Sequence, residues 1–105
     1  MEMIRAIIRP GLAEKVTCAT EEAGFVSMTK VGVYGRGKQK GIKVGDIEYD
    51  ELPKTMLMFV VNKRDSQRLL DTIMKTAATG NFGDGKIFIT PVDAVYTIRT
   101  GDPGL

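Results

Sequence analysis

Residues 79–93 read TGNFGDGKIFITPVD. Within this stretch Gly83, Asp84, Gly85 and Lys86 have the composition of an anion cradle. Glycines let backbone N–H groups approach an anion closely, and the lysine adds positive charge. The setting is unusual, because a helix-like segment precedes the stretch and a strand-like one follows, the reverse of a strand-to-helix phosphate loop. A plain structural turn accounts for the same residues. A second glycine-rich stretch, GRGKQKG at 35–41, matches neither G-x-x-x-x-G-K-[ST] nor G-x-G-x-x-G. The two stretches supply Lys38, Lys40 and Lys86, and Arg99 lies further on. If a sheet brings these cations together, they form a pocket for a nucleoside triphosphate.

Composition narrows the chemistry. With no histidine, the commonest general base and the commonest transition-metal ligand are both missing. A single cysteine, Cys18, excludes a structural zinc site and an internal disulfide, and it agrees with a reducing, cytoplasmic setting. No catalytic residue is expected; the protein is expected to act by binding. The net charge of +2 argues for neither nucleic acid nor a membrane surface. The N-terminal stretch MEMIRAIIRP is charged and interrupted by Pro10, unlike a signal peptide or a membrane span.

The 105 residues suit one domain, 1–105, whose elements must position those groups. Met3 to Arg9 reads as a strand ending at Pro10-Gly11. Leu12, Val16, Ala19 and Ala23 recur at helical spacing, with Gly24 as the glycine just past the helix end. Phe25 to Tyr34 reads as a second strand. Thr55 to Asn62 reads as a third, so continuously apolar that burial on both faces is expected. Ser66 is the expected N-cap of a helix carrying Leu69, Leu70, Ile73, Met74 and Ala77. Lys86 to Thr90 reads as a fourth strand and Ala94 to Arg99 as a short fifth. Cys18, Met56, Met58 and Met74 read as packing residues.

This order predicts an α+β fold, the ferredoxin-like split βαβ (βαββαβ), with an antiparallel sheet and both helices on one face. The other face keeps apolar residues, so an oligomer is expected to cover it. Residues 35–53 form a long loop whose first part is basic (Arg36, Lys38, Lys40, Lys43) and whose second is acidic (Asp46, Glu48, Asp50, Glu51). Ile42, Val44, Ile47 and Tyr49 lie between the charges. An arm that inserts into a partner and an extended hairpin with paired legs both fit.

MIRAIIRP, GRGKQKGI, LPK at 52–54 and TAATGNFGDGKIFITPVDAVYTIRTG, in this order, resemble the PII signal-transduction family over nearly the whole chain. The form of GRGKQKG, the short arm and YDELPKTML are most similar to the type 1 PII-like proteins encoded beside nitrogenase genes. The resemblance implies a trimeric core with ATP or ADP sites in clefts between subunits. It implies that Gly83, Asp84, Gly85, Lys86 and Arg99 contact the phosphates, with Lys38 in place of the family's usual arginine. Thr29, Gly35, Gly37 and Val60 would line the base and ribose, and Gln39 would reach Mg²⁺. The effector 2-oxoglutarate would chelate that metal and meet Lys54 and the backbone around Lys40 and Gly41.

As partners the resemblance implies dinitrogenase and a type 2 PII-like paralogue, in a homotrimer or a hetero-oligomer. A general PII protein acting on an ammonium channel or another nitrogen-metabolism enzyme is the nearer alternative. Thr97 and Met58 depart from the arginine and glutamate common in the family, and Tyr49 lacks the surroundings of the tyrosine modified in some members. Rival classes fit less well. An RNA-binding sheet needs aromatic stacking residues on its central strands, and Phe25, Phe59, Phe82 and Phe88 are too scattered. An ATP-hydrolysing enzyme needs a positioned base, and Asp84 is the only acid within the glycine stretch.

Overall fold

The computed structural model describes residues 1–37, 42–45, 47–49 and 51–105. Lys38, Gln39, Lys40 and Gly41, together with Asp46 and Asp50, lie outside the described residues.

β1 (Glu2–Ile8) is the axis of the sheet, because it pairs antiparallel with both β5 (Leu52–Val61) and β6 (Lys86–Pro91). β2 (Thr29–Gly35) pairs antiparallel with β5, so the strand order is β2-β5-β1-β6. α1 (Ala13–Glu22) joins β1 to β2 and α2 (Ser66–Ala77) joins β5 to β6, which is the ferredoxin-like βαββαβ arrangement. Alternation selects the packed side of the sheet. Ile4, Ala6 and Ile8 of β1 and Leu57, Phe59 and Val61 of β5 are buried with Val16 of α1 and Leu69 and Ile73 of α2. Burying each of these side chains other than Ala6 contributes about 1.5–3 kcal/mol, so this layer supplies most of the stabilisation.

The opposite face carries Met3, Arg5, Ile7, Met56, Met58 and Val60, all only half-buried. The apolar run of β5 is therefore not covered on both sides within one chain. Cross-strand registers group the residues of this open face in rows: Thr29, Met58, Arg5 and Phe88 in one, Val31, Met56, Ile7 and Lys86 in the next. Its charged residues on the four strands are Arg5, Lys54 and Lys86; it holds no carboxylate.

Several expectations need correction. No fifth strand forms at 94–99. Tyr96 instead makes one isolated bridge to Pro103, and the Thr97 and Gly104 amides donate to the carbonyls of Asp102 and Val95. Gly101, at φ 73°, lets this segment fold back on itself instead of pairing with the sheet. β2 starts at Thr29 rather than Phe25, because Phe25 is spent on the core, buried with Arg68 of α2 4.3 Å above its ring.

Ser66 is the first residue of α2 and caps nothing. Its hydroxyl donates to a carboxylate oxygen of Glu2 at 2.6 Å and ties the start of α2 to the start of β1. Ser66→Ala is expected to cost about 1–2 kcal/mol, since it leaves the Glu2 carboxylate short of a donor. A urea midpoint unchanged from the parent chain would show that this tie carries no weight. Cys18 and Met74 are exposed, not packed, because the buried positions of their helices are Ala13, Val16 and Thr20 in α1 and Ser66, Leu69, Ile73 and Ala77 in α2.

The long loop contains a hairpin. β3 (Ile42–Val44) pairs antiparallel with β4 (Ile47–Tyr49), with Lys43 opposite Glu48 and Gly45 at φ 61° in the turn. Backbone pairing thus joins the basic leg to the acidic leg. β2 and β5 continue the ladder at its root, down to Gly35 opposite Leu52.

Candidate functional site

The end of the sheet that launches this arm gathers most of those expected site residues that lie among the described residues. There the C-terminal ends of β1 and β2 meet the N-terminal ends of β5 and β6, so Gly35, Gly37, Lys54 and the turn at 79–86 share one edge. Gly83 and Gly85 have φ values of 94° and 105°, a region that glycine enters freely and other residues resist. The turn also sits tightly against β1. A methyl group on Gly85 would lie 1.7 Å from the Ile7 carbonyl oxygen, and one on Gly83 would lie 3.2 Å from the Arg9 guanidinium.

Asp84 organises this turn from within. Its carboxylate accepts the Thr79 amide at 2.8 Å, the Gly80 amide at 2.9 Å, the Thr79 hydroxyl and Arg9 Nε at 3.2 Å. The side chain is thus engaged within the turn. On the other side, Arg9 Nη2 donates to the Phe82 carbonyl and Lys54 Nζ to the Gly83 carbonyl, each at 2.7 Å. Peptide planes are trans here, so a carbonyl held on one side sends the following N–H to the other. The Gly83 and Asp84 N–H groups therefore point away from the two cations. Among the described residues the Phe82 and Gly83 amides form no hydrogen bond. Backbone donors on this small-residue turn, with Lys86 beside them, have the chemistry of an anion cradle.

Arg9 escaped sequence reasoning. It follows β1 and precedes Pro10, and nothing in its local pattern marks it as the partner of a residue 75 positions away. The basic-acidic pair Arg9 and Asp84 becomes visible only through the sheet register that sets Ile7 opposite Lys86.

Electrostatics follow from these contacts. The Thr79 hydroxyl and amide, with the Gly80 amide and Arg9, hold the Asp84 carboxyl far below the usual carboxylate range. Burial, then the nearby Arg9 charge, lowers the Lys54 ammonium. For Asp84 the depressed folded-state value means a contribution to stability that is complete above the unfolded value of about 4 and drains away as pH falls below it. Asp84→Asn is therefore expected to flatten the acid side of the stability profile below about pH 4. Urea midpoints measured from pH 2 to 6 check this, and a profile parallel to that of the parent chain would refute it.

Thr29 and Val60 fall elsewhere. Both lie on the open face, Thr29 opposite Met58 and Val60 opposite Met3. From Lys54 to Val60, β5 advances roughly 20 Å. A cleft of about 270 Å³ opens at that far end, bordered by Phe25, Val26, Val60 and Leu105. Arg99 rides on the turn at 98–100, in the C-terminal segment that leaves β6 beside Met1 and ends at this cleft. The expected residues thus form two groups at opposite ends of one sheet. Of the departures, Met58 stands between Thr29 and Arg5 on the open face, and Thr97 is engaged through its backbone with Asp102. Tyr49 is described only as backbone, and Lys38, Gln39, Lys40 and Gly41 lie outside the described residues.

A ferredoxin-like sheet with a hairpin arm and a glycine turn at the arm's root defines a small α+β domain. Comparison with known proteins agrees. The family described as Nitrogen regulatory protein P-II matches residues 1–102, and the chain belongs to this family of nitrogen-regulatory signalling proteins. It is 59% identical over 105 residues, the full length of both chains, to the Nitrogen fixation nifHD1 region GlnB-like protein 1 of Methanosarcina barkeri. It is 58% identical, again over both full lengths, to the Nitrogen fixation nifHD region glnB-like protein 1 of Methanococcus maripaludis strain S2. With the Nitrogen regulatory protein P-II 2 of Methanothermobacter thermautotrophicus the identity is 49%, over 99% of this chain and 94% of the other. No helix among the described residues is long and apolar enough to cross a membrane.

Proposed function

We propose that the protein binds ATP or ADP with Mg²⁺, and 2-oxoglutarate, at the root of its arm, and regulates nitrogen fixation by engaging nitrogenase through that arm. The observation that carries this reading is the turn at 79–86, where Arg9 and Lys54 hold the carbonyls and the Gly83 amide is left for an anion. Lys86 supplies charge beside it. Lys54 links the two ligands: a carboxylate arriving at its ammonium competes with the Gly83 carbonyl, so effector and nucleotide act on adjacent peptide groups of one turn. Gln39 is the proposed contact to Mg²⁺, and Lys38, Lys40 and Gly41 complete the ligand set. An oxygen-ligated hard cation suits that chemistry.

The separation of the two residue groups supports a site built by two copies of the chain, in a trimer or a mixed oligomer. A ligand held by Gly83 and Lys86 of one copy would reach Thr29, Val60 and Arg99 of the next. The half-buried apolar residues of the open face supply the contact, and three cations without a carboxylate favour an anionic ligand at the joint.

The nitrogenase reading rests on relatives whose names place them in nitrogen fixation gene regions. Dinitrogenase and a type 2 paralogue are accordingly the proposed partners, with 2-oxoglutarate releasing the inhibitory contact. A general P-II role, on an ammonium channel or another nitrogen-metabolism enzyme, is the second reading, favoured by the match to a relative named simply as a P-II protein. Calorimetric titration with MgATP, with and without 2-oxoglutarate, tests the ligand part: mutually enhanced uptake is expected, and independent uptake refutes the coupling. A pull-down of dinitrogenase that ignores both ligands would refute the proposed target switch.

A further inference from the structure

We propose that Arg9 and Asp84 act together as a positioning clasp for the phosphate-binding turn, an inference that rests on the nucleotide reading above. Toward the phosphates, both side chains act through the backbone they hold. The contacts divide the work. The Asp84 carboxylate gathers the Thr79 and Gly80 amides and the Thr79 hydroxyl, which closes the turn on itself. Arg9 spans two points of that closed turn, with Nε on the carboxylate and Nη2 on the Phe82 carbonyl. Its guanidinium lies against the bare Cα of Gly83, where a methyl group would come within 3.2–3.5 Å of three of its atoms.

Two consequences follow. The amides of Thr79 and Gly80 are consumed by Asp84, so a phosphate finds its backbone donors further along the turn, at Gly83 and its neighbours. The Phe82 peptide is locked with its oxygen toward Arg9, which fixes the outward direction of the Gly83 N–H. Only a planar fork can reach a carboxylate and a carbonyl at once in this way; an ammonium at the same place reaches one acceptor well. Arg9 follows directly on β1, whose Ile7 carbonyl buttresses Gly85, so the clasp fastens the cradle to the central strand of the sheet.

Titration calorimetry and amide hydrogen exchange on the full chain test this. Arg9→Met is expected to weaken MgATP uptake about tenfold and to leave adenosine uptake unchanged, since adenosine has no phosphate for the turn to hold. Arg9→Lys should recover less than half of the loss on a logarithmic scale, because charge alone does not orient the Phe82 peptide. Asp84→Asn combined with Arg9→Met should be no worse than the more damaging single change, because both break one unit. Exchange at the Thr79 and Gly80 amides should speed up in Arg9→Met.

Adenosine affinity falling in step with MgATP, or full recovery by Arg9→Lys, would reduce Arg9 to a general structural or electrostatic role and overturn the clasp. MgATP uptake by Arg9→Met within twofold of the parent chain would overturn it as well. A parent chain that takes up no MgATP would sink the nucleotide reading itself, and the positioning role with it, even if the exchange rates at Thr79 and Gly80 still respond.

Discussion

Gly85→Ala is expected to destabilise the protein by at least about 3 kcal/mol. The added methyl would stand 1.7 Å from the Ile7 carbonyl oxygen, and that oxygen belongs to the central strand. A flexible side chain could swing aside; a backbone carbonyl inside a ladder cannot. The φ of 105° adds strain for any residue with a Cβ, independent of the collision. The sheet must therefore open locally between β1 and β6, or the turn must refold away from β1. For a domain of this size the expected loss lowers the melting temperature by more than about 12 °C, compared at equal protein concentration.

Gly83→Ala provides the contrast. Its φ of 94° carries similar strain, but its new methyl meets only the guanidinium end of Arg9, which can move. A loss nearer about 1 kcal/mol is expected there. Equal stability of the two variants would show that the approach of Gly85 to Ile7 is not as tight as described.

Lys54→Met carries the largest expected functional effect. The proposed effector brings two carboxylates into a site already crowded with phosphates, and Lys54 is the cation at the junction of the turn and β5. Removing the partner of a sheltered carboxylate typically costs 2–5 kcal/mol or more, so 2-oxoglutarate uptake in the presence of MgATP should fall by at least about 100-fold. MgATP uptake alone should fall no more than about tenfold, because Lys54 touches the turn only through the Gly83 carbonyl. Calorimetry with both ligands measures the two numbers on one sample. Effector uptake within about threefold of the parent chain would remove Lys54 from the site. An equal loss of both ligands would instead make it a support of the turn alone.

The two predictions probe different halves of one device. Gly85 measures how firmly the turn is seated on the sheet, and Lys54 measures what reads its state. Both sit at the edge where β2 and β5 run on into the arm, so a ligand that reorders the turn acts where the arm is anchored. The far end of the sheet, with Thr29, Val60 and Arg99, has the complementary task if a second copy of the chain supplies it. In the proposed oligomer the open sheet face would do more than hold copies together, because the same packing that covers Met56, Met58 and Val60 would bring the two groups of residues together.

Much of this was legible along the chain. The βαββαβ order follows from period-two and period-3.6 patterns in segments such as MIRAIIR and LLDTIMKTA, and these depend only on which side of an element is apolar. Composition marked a glycine-rich turn at 79–86 with the chemistry of an anion cradle, and by itself left a plain structural turn open. The absence of histidine narrowed the chemistry before any fold was known. Family membership was likewise readable, through TGNFGDGKIF and IRTG, and residues 1–102 match the family as a whole.

What lay beyond the sequence shares one cause: contacts between segments distant along the chain leave no local periodicity. Ser66 looked like a cap because the helix begins there, yet its hydroxyl goes to Glu2 across the domain. Residues 94–99 looked like a strand because they are β-branched and aromatic, yet their hydrogen bonds close on 102–104. Arg9 read only as the end of a strand until the register of β1 against β6 set it over the glycine turn. Local preference therefore determined which elements exist, and tertiary packing alone decided which charged groups meet, because an ion pair 75 residues apart in sequence exists only once the sheet has formed.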